Sequence, residues 1–168
     1  MAEVNLIWAE TNDGTIALDG GIPWTQKSDL KFFKEETINQ VIVMGRNTMN
    51  SFRGRPLPNR VNLVLTRNEA LEVPEGFQKV YDVESAMKIA DEAGTKLQII
   101  GGKPIYESFM AVADHLYVTY LDTDFRGDVR MEQVDKTEWR GEEIASGPAN
   151  HENDFDYTIV KYTRFSIN

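Results

Sequence analysis

Asp29 is the residue best placed in this sequence to hold or move a proton. It stands in the stretch SDLKFFKEET, where Leu30 and Phe33 are the following apolar positions. Phe33 lies four residues on, so the two share one face of a helix. If Phe33 faces a pocket, the carboxylate does too, and partial loss of hydration there raises its pKa toward values useful in acid–base chemistry. The same acid also suits the first turn of a helix, where it complements the macrodipole. The residues alone leave both roles open.

Three transitions out of apolar runs have the types that hold anions. Val43-Met44 runs into Gly45, Arg46, Asn47 and Thr48. Ile100 runs into Gly101, Gly102 and Lys103, followed by Pro104, and a third run ends in Thr66-Arg67. Glycine lets a backbone come close to a ligand, and a helix starting there offers unbonded N–H groups to a phosphate. Each transition taken alone reads first as an ordinary turn, and the G-x-G-x-x-G pattern of the usual dinucleotide site is missing.

Other chemistry is poorly supplied. The sequence has no cysteine, which excludes disulfides, thiolate metal sites and cysteine nucleophiles. His115 opens an apolar run and His151 sits in a polar stretch, with no ligand spacing around either, so no metal is expected. The acidic stretch Glu132–Glu143 reads as solvated surface.

A net charge of -9 over 168 residues argues against general nucleic-acid binding. It also requires that any anionic ligand be met by locally gathered cations. Arg46, Arg60, Arg67 and Lys103 are the candidates, expected together on one rim. No apolar run approaches the roughly 20 residues that span a bilayer. The opening MAEVNLIWAE lacks a basic n-region, and a cytoplasmic protein is the expectation.

The elements that must position these residues alternate in kind. Strands are expected at Val4–Ala9, Gln40–Met44, Val61–Thr66, Phe77–Tyr81, Leu97–Ile100, His115–Leu121 and Tyr157–Phe165. Helices are expected at Ser28–Thr37, Asn47–Phe52, Val83–Glu92 and Pro104–Val112, with Asn12–Gly21 a loop. This order predicts an α/β fold of three layers. Its sheet of about eight strands is mostly parallel, with an antiparallel C-terminal edge and about four helices. Ligands in such sheets sit at the carboxyl ends of the strands.

Together the segments LIWAETNDGTIALDGGIPW, SDLKFFKEET, VIVMGRNTMNSF, GRPLPNRVNLVLTR, IIGGKPIYESF, HLYVTYL and FRGD resemble dihydrofolate reductase in order and spacing, over essentially the whole chain. The likeness is closest to the form of lactic acid bacteria. It implies hydride transfer from NADPH to 7,8-dihydrofolate, giving tetrahydrofolate for one-carbon metabolism. It also implies a single domain over residues 1–168, in which an adenosine-binding subdomain at roughly 40–92 is inserted in a larger loop subdomain.

The resemblance assigns roles residue by residue. Asp29 is the pocket acid, acting with Trp24 and water, and Thr119 supports it. Ile7, Ala9, Leu30 and Phe33 form apolar walls, as do Phe52, Leu57 and Ile100. Arg60, braced by Thr37, would grip the glutamate carboxylate of the substrate. On the cofactor side, Trp8, Ala9, Ile16 and Ala17 would meet the nicotinamide, and Gly45, Arg46, Asn47 and Thr48 the phosphates. Thr66 and Arg67 would meet the 2′-phosphate, which selects NADPH over NADH. Ile100, Gly101, Gly102, Lys103, Ile105 and Tyr106 complete the set, with a cis bond joining the glycine pair. The loop Asn12–Pro23 would exclude water, held by Asp128. Antifolates are expected ligands and a monomer the expected state.

There are departures. The family usually has glycine after the isoleucine of the active-site loop, and here Ala17 follows Ile16; a positive φ at that position would cost about 1 kcal/mol. Lys103 stands where a third glycine is common, and Phe52 where many relatives are aliphatic. Two rivals share the fold. A reductase of another heterocycle would be expected to lack the set Asp29, Phe33 and Arg60, and a nucleotide-binding protein without activity would lose Asp29 or Thr119. All are present.

Overall fold

The computed structural model describes residues 1–17 and 21–165. Its strands are β1 Val4–Glu10, β2 Thr15–Ala17, β3 Val41–Met44, β4 Val61–Leu65, β5 Phe77–Val80, β6 Leu97–Gly101, β7 His115–Leu121, β8 Val129–Arg130, β9 Trp139–Gly147 and β10 Tyr157–Arg164. The α-helices are α1 Lys27–Thr37, α2 Arg46–Ser51, α3 Val83–Ala93 and α4 Lys103–Phe109, the last continued by a 3-10 turn at Met110–Val112. Eight strands form one sheet in the order β5-β4-β3-β6-β1-β7-β10-β9, and β2 pairs with β8 apart from it. The chain divides into two compact units, Met1–Leu6 with Glu35–Ala113, and Ile7–Lys34 with Asp114–Asn168.

In the first unit, β3 pairs in parallel with β4 and with β6, and β4 with β5. The β3 sequence VIVM does not alternate, and every residue in it is buried. Such a run suits a parallel strand covered on both faces. Ile42, Met44, Met49, Val64 and Phe77 form one buried cluster, with Phe52, Leu57 and Ile100 packed against it. Each such side chain taken from water contributes about 1.5–3 kcal/mol. Helix α3 has sharp ends: the Asp82 side chain accepts from Ser85 N at 2.7 Å, and Gly94 closes the helix at φ 69°. Both are standard helix boundaries for these residue types.

In the second unit, β10 pairs antiparallel with β7 on one side and β9 on the other. This is the expected antiparallel edge. The sequence reading missed β9. Its burial pattern is almost wholly exposed after Trp139, so the strand has no apolar alternation to betray it. The acidic residues Glu142 and Glu143 are solvated, as expected, yet they stand in a strand. Part of the expected loop Asn12–Gly21 is also a strand: β2 pairs with β8, Thr15 opposite Arg130 and Ala17 opposite Val129. Residues 18–20 of that loop lie outside the described residues.

Candidate active site

Helix α1 carries Asp29, and its first turn is held from far along the chain. Ser28 N donates to Asn153 Oδ1 at 3.0 Å, and Asn153 Nδ2 donates to Ser28 Oγ at 2.9 Å. Gln26 Nε2 donates to Phe155 O at 2.9 Å, and Lys27 N to Glu152 O at 3.1 Å. Asn153, distant in sequence, thus meets a first-turn N–H as an N-cap side chain ordinarily does. The carboxylate of Asp29 turns to Thr119 on β7, whose hydroxyl donates to Asp29 Oδ1 at 2.6 Å. Burial raises the pKa of Asp29, and the bond from Thr119 opposes that rise without cancelling it. The result is a half-buried carboxyl group that takes a proton more readily than an aspartate in water.

Around it, Phe32 packs on Tyr117 with ring centroids 5.7 Å apart, while Phe33 is half-buried. Leu30 is 61% exposed, so on this helix it covers no core. Trp24 is held edge-on between Phe125 and Phe155 at 6.1 and 6.4 Å, and no hydrogen bond joins it to Asp29. On β1, Ile7 and Trp8 are buried and Ala9 half-buried. Trp8 Nε1 donates to Glu10 Oε1 at 2.9 Å.

The loop preceding α1 is tied down at its start. Asp13 Oδ1 accepts from Thr11 Oγ1, Thr15 N and Thr15 Oγ1 at 2.8, 3.2 and 2.6 Å. These bonds hold its carboxyl below the usual range. Asp128 N donates to Ala17 O at 3.2 Å and Met131 N to Gly14 O at 2.8 Å. Ile16 and Ala17 are half-buried in the extended strand, and Ala17 is not among the positive-φ residues. The strain considered for alanine there is therefore absent.

In the first unit, the parallel register puts three of the sequence-identified segments at one edge. Met44 stands opposite Val64 on one side and Gly101 on the other. Gly45–Thr48, Thr66–Arg67 and Gly101–Lys103 therefore follow neighbouring strand ends. Gly45 N donates to Gly101 O at 2.8 Å, and the bond joining Gly101 to Gly102 is cis. A side chain at Gly45 would meet Ile105 at 3.0 Å. Gly101, at φ 122°, lies against the buried Tyr106 and beside Thr48. Gly102 caps α4 without a side-chain bond, and a Cβ there would meet nothing within 4 Å. Arg46, Asn47 and Arg67 are exposed, and Thr66 Oγ1 accepts from Asn68 N at 3.0 Å. An open backbone at Gly102 with cations on either side fits a phosphate-bearing cofactor such as NADPH.

Arg60 is the exception to the expected rim. It immediately precedes β4, whereas Arg67 follows the end of that strand. Five residues of strand at about 3.3 Å each separate the two by roughly 16 Å. The four cations therefore do not gather on one edge, because Arg60 enters the strand that Arg67 leaves. Arg60 Nε donates to the buried Thr37 Oγ1 at 2.9 Å and Nη1 to Pro58 O at 3.1 Å. Leu57 and Phe52 lie half-buried nearby in sequence, packed on the cluster that also takes Ile100.

The sequence reading missed Asn153, Asp13, Glu10 and Gly127. Asn153 meets Ser28 across 125 residues, and no local signal could have found it. Asp13 was legible only as a turn residue in Asn-Asp-Gly. Gly127 passes so close to β2 that a Cβ would be 2.2 Å from Ala17 O.

A family model described as Dihydrofolate reductase matches residues 3–164. The chain is 33% identical over 161 residues to Dihydrofolate reductase type 3 of Salmonella typhimurium, covering 96% of this chain and 98% of the relative. It is 32% identical over 163 residues to Dihydrofolate reductase of Bacillus subtilis (strain 168), covering 96% and 94%. Among solved structures, it is similar to Dihydrofolate reductase from Enterococcus faecalis complexed with NADP(H) and RAB-propyl. That match has a TM-score of 0.86 at 33% identity and covers 98% of this chain and 97% of the other.

Proposed function

This chain belongs to the dihydrofolate reductase family, and we propose that it reduces 7,8-dihydrofolate to 5,6,7,8-tetrahydrofolate with NADPH. The observation that carries the assignment of roles is the Asp29–Thr119 pair: one carboxyl group of raised pKa, fixed in direction by a hydroxyl, on the wall of an α/β fold.

NADPH supplies the hydride. The chain's residues bind, orient and tune. Asp29 accepts hydrogen bonds from the pterin amino group and ring nitrogen, and its charge favours protonation of the imine nitrogen. Thr119 fixes the rotamer of that carboxylate, so little ordering remains to be done when the substrate binds. Trp24, wedged between two phenylalanine rings, holds the entrance beside α1 and a water that relays the proton. Ile7, Ala9, Leu30 and Phe33 supply apolar surface for the pterin; Phe52, Leu57 and Ile100 do so farther along the substrate. Arg60 grips the glutamate carboxylate, with Thr37 fixing the plane of its guanidinium.

On the cofactor side, Trp8, Ala9, Ile16 and Ala17 receive the nicotinamide. Gly45, Arg46, Asn47, Thr48, Gly101, Gly102 and Lys103 receive the phosphates, with Ile105 and Tyr106 packed behind the glycines. Thr66 and Arg67 receive the 2′-phosphate. The segment at roughly 40–92 is then the adenosine-binding part of a single domain. Asp128, bonded through its N–H to Ala17, steadies the loop that excludes water. Among the described residues no helix is long and apolar enough to cross a membrane; a cytoplasmic monomer that also binds antifolates completes the reading. The segment LIWAETNDGTIALDGGIPW supports an affinity with the form of lactic acid bacteria.

The test is the near-ultraviolet absorbance of NADPH mixed with the protein. The expected result is loss of signal that depends on added dihydrofolate, with NADH a poorer donor. An Arg67→Ala variant is expected to lose roughly tenfold or more of its preference for NADPH, as loss of a charge-assisted phosphate contact predicts. No substrate-dependent loss would overturn the assignment.

A further inference from the structure

Residues that alternate along a strand face opposite sides of a sheet. Thr119 of β7 points to Asp29, so its neighbour Tyr120 points to the other face. There, within the second unit, lies a cavity of about 680 Å³ that takes no part in the proposed reaction. Tyr120 and Tyr162 line it, their hydroxyls 2.6 Å apart. The ring of Tyr162 lies against Gly141, where a Cβ would approach it to 2.9 Å; glycine makes room for this wall.

The charges around the cavity have one dominant sign. Glu10 lines it and is only 7% exposed. Its Oε1 accepts from Trp8 Nε1, while its Oε2 accepts no hydrogen bond from any described residue. A carboxylate so largely withdrawn from water, with one oxygen at a cavity wall, is favoured by a cation or donor that meets it there. Burial pushes the Glu10 carboxyl up, and the bond from Trp8 opposes that rise without cancelling it. Glu143 adds a second carboxylate at the rim. The aromatic wall already holds a cation of the chain's own: Lys136 Nζ stands 5.8 Å from the centroid of the Tyr162 ring. Lys136 is exposed on a flexible stem, so its ammonium can leave for solvent. A ring face flanked by carboxylates attracts ammonium ions. The volume lies within the usual range for small-molecule sites, roughly 300–1,000 Å³.

We propose that this cavity is a second ligand site, for a small aliphatic ammonium ion held between the Glu10 carboxylate and the ring face of Tyr162. Lys136 is its tethered competitor.

The experiment is isothermal titration of the full chain with 1,4-diaminobutane, at ionic strength held constant by KCl. Saturable binding of one equivalent is expected. Glu10→Gln is expected to weaken it at least tenfold. Lys136→Ala is expected to tighten it severalfold, while Lys88→Ala, which removes the same charge from α3, leaves it unchanged. Should Glu10→Gln fail to fold, Glu143→Gln takes its place, with weaker binding expected. The proposal is overturned by heats no larger than those of KCl, by equal affinity in the carboxylate variants, or by equal effects of the two lysine variants. The last result would mean diffuse attraction to an acidic surface.

Discussion

The hydroxyl of Thr119 reaches the carboxylate of Asp29 at 2.6 Å across a sequence separation of 90 residues. One residue lies on a strand and the other in the first turn of a helix. In that turn the N–H of Ser28 is met by Asn153, while the Asp29 carboxylate is met by the strand. A group that began as an ordinary first-turn acid thus becomes a half-buried acid with one fixed oxygen and one left for a ligand.

The first prediction concerns Asp29→Asn. Turnover near neutral pH is expected to fall at least roughly tenfold, the usual size of an acid–base contribution, with NADPH affinity nearly unchanged. Steady-state rates and a fluorescence titration check the two halves. The same change is expected to stabilise the fold at neutral pH. Burial raises the pKa of Asp29 above its unfolded value. Between those two values the folded state binds more protons than the unfolded one, so stability falls as pH rises. A neutral amide escapes that loss. Thermal unfolding should therefore put the variant above the parent at pH 7, with the advantage vanishing below the unfolded aspartate pKa.

Thr119→Val removes the bond that favours the charged form of Asp29. The pKa of Asp29 should then rise further. In a pH profile of kcat/KM, the limb governed by this group is expected to move to higher pH. A variant that lost activity with no movement of that limb would limit Thr119 to a packing role.

Arg60→Ala is expected to raise the KM for dihydrofolate at least roughly tenfold with kcat little changed, since a charge-assisted hydrogen bond contributes about 1.5–3 kcal/mol. Thr37→Val leaves the arginine but removes its brace. A smaller rise in KM of the same kind is expected, and an equal loss in kcat would contradict it.

Gly127→Ala forces a methyl group toward Ala17 O, where the ideal distance is 2.2 Å. The pairing of β2 with β8 should open, at a cost of about 1–3 kcal/mol for overpacking of this kind. Hydrogen exchange reads it directly. The amides of Asp128 and Met131, which donate to Ala17 O and Gly14 O, are expected to lose protection.

Much of the frame was legible because it follows from local pattern. Unbroken apolar runs such as VIVM mark buried parallel strands, and the stretch Val83–Glu92 reads as the helix that becomes α3. The glycine-to-cation transitions at Gly45 and Gly101 were also legible, since glycine is needed where backbones come close, and so was the strand end at Thr66-Arg67. β9 was not, because an exposed strand takes its place from hydrogen bonds to β10 rather than from any apolar alternation of its own.

Residue types and local pattern settled which side chains are available: one acid beside an apolar face, few cations in an acidic chain, no cysteine. Tertiary structure alone decided how they are used. It gave Asp29 to Thr119, sent Asn153 to cap α1, and left one oxygen of Glu10 with no donor among the described residues. The reason is physical. Local pattern fixes a residue's face within its own element, whereas its partner depends on strand order and register, which bring together segments far apart along the chain.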